Sequence, residues 1–231
     1  MNQKLHLDSV IIVAGGIGKR MKSTIPKQFM ILKDMPILMH TIHRFHSFDN
    51  TTEIILVIPK KDFNYWDDLC KEYSFTIKHK IVAGGIERFY SVKYGLDNLK
   101  AENGIVAIHD GVRPMVDYGT ILRGVETALK FKAAVPVVPV TNSIRIIEGC
   151  KNRNLERNLL RVVQTPQIFD IKLIKEAYRT EFDPFFTDDA SVIEKHGGEV
   201  FLYKGNPNNI KITTKLDLEY LKLMLNQTNN T

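Results

Sequence analysis

Val10-Ile11-Ile12-Val13-Ala14-Gly15-Gly16-Ile17-Gly18-Lys19-Arg20-Met21 decides the fold, because an apolar run passes directly into a glycine-rich basic loop. Four consecutive apolar residues read as a strand that must be covered on both faces. Glycines at 15, 16 and 18 let backbone N–H groups turn toward an anion with no Cβ in the way, and Lys19, Arg20 and Lys27 of Pro26-Lys27-Gln28 add positive charge. The stretch reads as a cradle for a polyphosphate. A tight strand-to-helix turn would use the same residues, so the loop alone does not name a nucleotide.

Two familiar glycine loops are excluded by spacing. A P-loop needs a glycine five residues before Gly-Lys and a Ser or Thr after it, whereas Val13 and Arg20 occupy those places. The dinucleotide fingerprint needs a third glycine three residues after Gly18, where Met21 stands.

Outward from this stretch, strand-like runs at 10–13, 54–58, 105–108 and 134–138 alternate with helix-period segments at 37–48, 63–72, 86–99 and 118–131. That alternation is the βαβ pattern and predicts an α/β fold with a mostly parallel sheet flanked by helices. Ligands in such sheets bind beyond the carboxyl ends of the strands, so the loops at 14–27, 84–91 and 109–114 are expected to converge. The rhythm breaks at about 141–163, where segments 141–150 and 155–163 bracket the polar Lys151-Asn152-Arg153-Asn154 and predict a two-stranded ribbon projecting from the sheet. Such a ribbon is marginal in water alone, and a second copy of the chain is the simplest cover. Helices at 171–179, 188–196 and 215–225 and short strands at 200–203 and 210–212 complete the layout.

The 231 residues suit a single domain spanning 1–231, with 44% hydrophobic and 25% charged residues and no apolar run long enough to cross a bilayer. The N-terminal region lacks the long apolar core of a secretory signal, so a cytoplasmic location is expected. Cys70 and Cys150 have no metal-ligand or disulfide-framework spacing. The net charge of +6 comes from dispersed basic residues, which small phosphorylated ligands explain as well as nucleic acid does.

Asp110, in His109-Asp110-Gly111-Val112-Arg113-Pro114, follows a strand and sits where a metal-bound phosphate would lie; one Asp is sufficient for Mg²⁺, which keeps waters and phosphate oxygens. Asp110 would equally serve as a cap for the next segment. His109 is assigned to structure, since a phosphate-monoester nucleophile is already ionised near neutral pH. Gly84-Gly85 opens a second glycine turn toward Ser91, where amides and a hydroxyl can meet a base edge, although a plain helix start explains it nearly as well. Gln164-Thr165-Pro166-Gln167 and Thr187-Asp188-Asp189-Ala190-Ser191 read equally as caps or as site segments. Lys211, on the short strand at 210–212, reads by itself as a solvated edge charge.

Together these segments form a set. Ala14-Gly15-Gly16-x-Gly18-x-Arg20-Met21 with Pro26-Lys27-Gln28, Gly84-Gly85 with Arg88 and Ser91-Val92, His109 to Pro114, Gln164 to Gln167, Thr187 to Ser191 and Asn209 to Thr213 resemble, in order and over residues 8–225, the 2-C-methyl-D-erythritol 4-phosphate cytidylyltransferase family. The resemblance implies a Rossmann-like fold with a projecting β-ribbon arm, and transfer of a cytidylyl group from CTP to a sugar-alcohol phosphate with release of pyrophosphate. It implies Mg²⁺ or another divalent cation held by Asp110, and a homodimer through the 141–163 arm; nucleic acid and membrane are not expected partners. Carried over by position, Ala14, Gly15, Gly16 and Gly18 wrap the CTP phosphates and Arg20 and Lys27 stabilise charge on the reacting phosphates. Gly85 and Ser91 read the cytidine, and Gly111 lies against the ribose. Arg113, Thr165, Thr187 and Lys211 surround the acceptor phosphate, with Arg157 reaching into the neighbouring subunit's site. The departures are Ile86, where the family often has an acidic residue, Ser143 for Thr and Gly15 for Ala. Two alternatives stand beside this reading: a ribitol-5-phosphate cytidylyltransferase of the same fold, and a non-catalytic nucleotide- or RNA-binding module.

Overall fold

A computed structural model describes residues 5–16 and 25–227. Twelve strands and seven helices are found in this part of the chain. In order they are β1 Ser9–Val13, β2 Ile31–Leu32, β3 Met35–Pro36, α1 Ile37–Phe48, β4 Glu53–Ile58, α2 Phe63–Glu72, β5 Lys80–Ala83, α3 Arg88–Asp97, β6 Ile105–Asp110, α4 Tyr118–Phe131 and β7 Ala133–Pro139. Then follow β8 Ile144–Glu148, β9 Lys151–Leu155, β10 Arg161–Val163, β11 Gln167–Asp170, α5 Ile171–Ala177, α6 Asp189–Lys195, β12 Phe201–Lys204 and α7 Lys215–Gln227.

The central sheet runs β10-β7-β11-β6-β1-β4-β5, with β12 also paired to β7. Its β6-β1-β4-β5 half is wholly parallel, with Val10 opposite Ile54 on one side and Ala107 on the other. β11 enters antiparallel between β6 and β7. Because successive side chains leave a strand on opposite faces, Val10 and Ile12 pack with Phe45, Trp66 and Val125 of α1, α2 and α4, while Ile11 packs with Val92, Ile174 and Ile193 of α3, α5 and α6. The same alternation in β4 sends Leu56 to the first face and Val57 to the second. The doubly apolar runs thus have two helical layers to bury them, and the β6-β1-β4 edge points its carboxyl ends at one open cleft.

Three details differ from the sequence expectation. The ribbon turns at Gly149-Cys150, where Gly149 takes φ +62°, and Lys151 to Asn154 form strand β9 paired with β8, Ile147 facing Asn152. Those residues are polar because both faces of the ribbon meet solvent, which mimics a turn composition. The stretch expected to continue the ribbon instead makes a 3₁₀ turn at Arg157–Leu159 and returns to the main sheet as β10 beside β7. Residues 210–212 form no strand; the Ile212 amide donates one bond to the Val112 carbonyl. No described helix is long and apolar enough to cross a membrane.

Candidate active site

The loops after β1, β5 and β6 converge as expected, on a cleft of about 410 Å³ lined by Ala14, Gly15, Gly16, Lys27, Gly85, Ser91, Asp110 and Lys211 among others. Two backbone bonds set the geometry: the Ala14 amide donates to the Val57 carbonyl, and the Gly111 amide donates to the Val13 carbonyl. The first glycines therefore begin where the β1 ladder ends, with Ala14 beside Gly111 at the carboxyl end of β6.

Asp110 is the centre of charge. Its carboxylate Oδ2 lies 3.1 Å from Lys211 Nζ and accepts from Arg113 Nε at 3.1 Å, while Oδ1 lies 3.8 Å from Arg88 Nε. Burial opposes ionisation, but Lys211, Arg88 and Arg113 outweigh it and hold the carboxyl well below its ordinary range. Its backbone is fixed as well: the Asp110 amide donates to Thr165 Oγ1 at 3.0 Å. That hydroxyl also lies 3.1 Å from His109 Nδ1, and His109 Nε2 lies 3.1 Å from the Arg113 carbonyl. With the Thr165 hydroxyl donating to Nδ1, Nε2 carries the imidazole proton and donates to Arg113. Burial keeps the ring neutral, its pKa pushed down to about 4, and its face packs edge-on against Phe45. His109 is thus a structural residue that shapes the 109–113 turn.

Gly85 needs its missing side chain, since a Cβ there would stand 2.4 Å from Tyr90 Cβ. Its amide donates to Ser91 Oγ at 3.1 Å, the Ser91 hydroxyl donates to the Glu87 carbonyl, and the Gly84 amide donates to the Ile58 carbonyl. Both turn amides are therefore engaged internally, and Ser91 orders the turn it was expected to extend. Gly111 is buried, with a Cβ there only 2.8 Å from Ala14 Cβ; its carbonyl accepts from Thr41 at 2.9 Å. Lys27 is buried at the cleft wall and donates to the Ile212 carbonyl at 3.0 Å, which ties the first loop to the segment carrying Lys211. Beside it, buried Gln28 presents an amide oxygen, Oε1, that has no hydrogen-bond partner among the described residues.

Arg113 reaches Asp110 and also donates to the Asn209 carbonyl at 2.9 Å, so it braces the Lys211 segment. Thr165 is buried behind Asp110. Thr187 is exposed one residue before the Asp188 cap of α6 and is not part of the cleft wall. Arg157 is exposed on the 3₁₀ turn after the ribbon, donating to the Thr141 carbonyl. Gly18 and Arg20 lie outside the described residues. Among the cleft residues outside the sequence-derived site is Arg88, which lines the wall and forks onto Asp189 at 2.8 and 2.6 Å. Its place after the glycine turn was visible in the sequence, but its partner is a hundred residues away.

The sequence profile of one family, IspD: 2-C-methyl-D-erythritol 4-phosphate cytidylyltransferase, matches residues 9–227. The chain belongs to this family. Family membership makes it a nucleotidyltransferase enzyme of isoprenoid biosynthesis with a Rossmann-like fold. Its relatives agree. Proteins named 2-C-methyl-D-erythritol 4-phosphate cytidylyltransferase from Bacteroides thetaiotaomicron and Bacteroides fragilis are each 47% identical, covering 91% and 94% of this chain and 96% and 99% of their own. Among solved structures, the 4-diphosphocytidyl-2C-methyl-D-erythritol synthase of Anaerococcus prevotii superposes with a TM-score of 0.81 at 28% identity, over 95% of this chain and 98% of its own. The cytidylyltransferase of Thermus thermophilus gives 0.77 at 28% identity, over 96% and 100%. Ala14, Gly15 and Gly16 line one cleft with Asp110.

Proposed function

We propose that the cleft binds CTP along the 14–18 loop and 2-C-methyl-D-erythritol 4-phosphate on the Lys211 and Arg113 side, and joins them to give 4-CDP-2-C-methyl-D-erythritol and pyrophosphate. An acceptor phosphate oxygen attacks the α-phosphorus of CTP in line, and the bond to the departing pyrophosphate breaks. The phosphate monoester is largely ionised near neutral pH, since its second pKa is about 6, so no general base is required. This chemistry suits a neutral, buried His109. Catalysis then rests on positioning and charge: Lys27 and Arg20 stabilise the charge that builds on the reacting phosphates. Gly85 and Ser91 bound the base, Gly111 the ribose, and Thr165, behind Asp110, holds the acceptor turn together with Thr187.

The residues present fit a divalent cation. Asp110 offers one ionised carboxylate whose Oδ1 has, among the described residues, only the 3.8 Å arginine contact, and the amide oxygen of Gln28, a residue of the same cleft wall, meets no donor among the described residues. That oxygen set suits Mg²⁺, which completes its shell with waters and phosphate oxygens. When bound, the ion neutralises triphosphate charge. The exposed apolar residues of the arm region, Ile147, Leu159, Val162 and Val163, support a homodimer through 141–163 in which Arg157 serves the neighbouring site. Nucleic acid and membrane have no part in this reaction, which belongs in the cytoplasm.

The observation that carries the reading is the grouping of Lys211, Arg113 and Arg88 around Asp110 opposite the glycine loop. Pyrophosphate release is measured with each of the four nucleoside triphosphates, Mg²⁺ and either methylerythritol phosphate or ribitol 5-phosphate. The expected pair is CTP with methylerythritol phosphate. Faster turnover of ribitol phosphate, or of a triphosphate other than CTP, overturns the assignment.

A further inference from the structure

Arg88 occupies a costly place. It is the first residue of α3, where the helix dipole is positive and an acidic residue is favoured, and that first turn holds no acid of its own. Its compensation comes from Asp189, the first residue of α6, which is fully buried and takes both prongs of the guanidinium. Tyr178 donates a third bond to the same carboxylate at 2.6 Å. Burial works against the charge on Arg88, yet Asp189 and Asp110 outweigh it and keep the guanidinium protonated. The α6 turn is in turn pinned to β11 by Gln167, which donates to Asp188 at 2.8 Å and accepts from the Ala190 amide at 2.9 Å.

We propose that Arg88 is a positioning residue: forked onto Asp189 and set beside Asp110, it fixes the spacing between the 84–91 turn on the nucleotide side and the 187–191 turn on the acceptor side. This rests on the function proposed above. A planar fork held by a buried carboxylate has one orientation, so the two helix starts cannot drift apart without breaking two charge-assisted bonds. Nε is left directed at Asp110, whose Oδ2 already serves Lys211 and Arg113. The spacing at the reacting phosphates therefore depends on a contact made behind them.

Arg88→Lys keeps the charge and loses the fork. A misplacement of about 1 Å can cost on the order of 10² in rate, and kcat is expected to fall by that order while KM for the acceptor phosphate rises at least about tenfold. KM for CTP should stay near wild type, while the melting temperature falls because a buried ion pair is weakened. Asp189→Asn should give the same split, and the double variant Arg88→Lys with Asp189→Asn should be no worse than the poorer single one, as two halves of one device. Tyr178→Phe, which keeps the ring volume, should move acceptor KM in the same direction by less. A variant that only lowers the melting temperature, or that raises KM for CTP alone, overturns the proposal. If Arg88→Lys does not fold, unchanged acceptor KM in folded Asp189→Asn and Tyr178→Phe overturns it equally. Wild-type inactivity with methylerythritol phosphate would be the failure of the functional reading instead, and the same split is then read on whichever acceptor phosphate the wild type uses.

Discussion

Lys211 Nζ stands 3.1 Å from Asp110 Oδ2, which joins the segment before α7 to the carboxyl end of β6. The carboxylate is buried and the lysine side chain is 42% exposed, so the ammonium reaches from the rim into the cleft. Lys211→Ala removes a cation from the proposed acceptor side and relaxes the hold on the Asp110 carboxyl. Turnover should fall by roughly 10²–10³, the usual loss for one preorganised donor. The melting temperature should change little, because a half-exposed ion pair contributes about 0–1 kcal/mol. Steady-state kinetics beside a thermal melt check both parts.

Gly111→Ala tests how the two strand ends are locked. The new Cβ would meet Ala14 Cβ at 2.8 Å, an atom no side-chain rotation can move, and the core-packed Leu38 Cδ1 at 3.0 Å. Overpacking of this kind costs about 1–3 kcal/mol. Relief by displacing Ala14 moves the glycine loop, so KM for CTP is expected to rise together with the loss of stability. Denaturant melts and CTP titration are the measurements.

Much of this architecture is legible in the sequence. Helices α1, α2 and α4 coincide with the 37–48, 63–72 and 118–131 segments, because each carries an uninterrupted 3.6-residue apolar stripe. β11 was invisible: Gln167-Ile168-Phe169-Asp170 has only two apolar residues, and its strand character comes from neighbours β6 and β7. β5 went unseen for a similar reason, as an edge strand of four residues beginning with exposed Lys80. The glycine loop, Lys27, Asp110 and Lys211 were legible as motifs, and the cleft brings them together. What motifs do not encode is the partner of a charge. Lys211, which by itself reads as a solvated edge charge, faces Asp110, and the Arg88–Asp189 fork joins segments with no local relationship.

His109 gives a pH signature. Burial is the main cause that pushes its pKa from the ordinary 6.5 down to about 4; Arg113 and Lys211 add to the effect, while the Arg113 carbonyl and Asp110 oppose it. The folded protein therefore refuses a proton that the unfolded chain accepts. Its contribution is complete above pH 6.5, declines as pH falls toward 4 and levels off below, a difference of about 3 kcal/mol. His109→Asn should flatten this part of the stability curve between pH 6.5 and 4. His40 and His79, also lowered chiefly by burial, keep a residual slope in the variant. Chemical denaturation at half-unit pH steps reads the change.

Lys27→Ala separates charge from scaffold. The ammonium is buried at the cleft wall and donates to the Ile212 carbonyl, so its loss removes a cation near the proposed phosphates and also one tie to the Lys211 segment. Turnover is expected to drop by at least about 10² with the protein still folded. Arg20→Ala, predicted from the sequence motif, should lose as much. Near-wild-type turnover in either variant would remove that residue from the mechanism.

Arg157 distinguishes a catalytic arm from a purely structural one. On a single chain its guanidinium is exposed and donates to the Thr141 carbonyl at 2.9 Å, on a turn that leads from the ribbon back to β10. Arg157 is not among the described residues that line its own subunit's cleft. Under the proposed dimer the arm carries this charge to the neighbouring acceptor site. Arg157→Ala should then raise KM for the acceptor phosphate by tenfold or more, in line with about 1.5–3 kcal/mol for a hydrogen bond to a charged group, while sedimentation still reports a dimer. If the arm serves association alone, the same substitution weakens the dimer, and acceptor KM measured at saturating protein concentration stays unchanged.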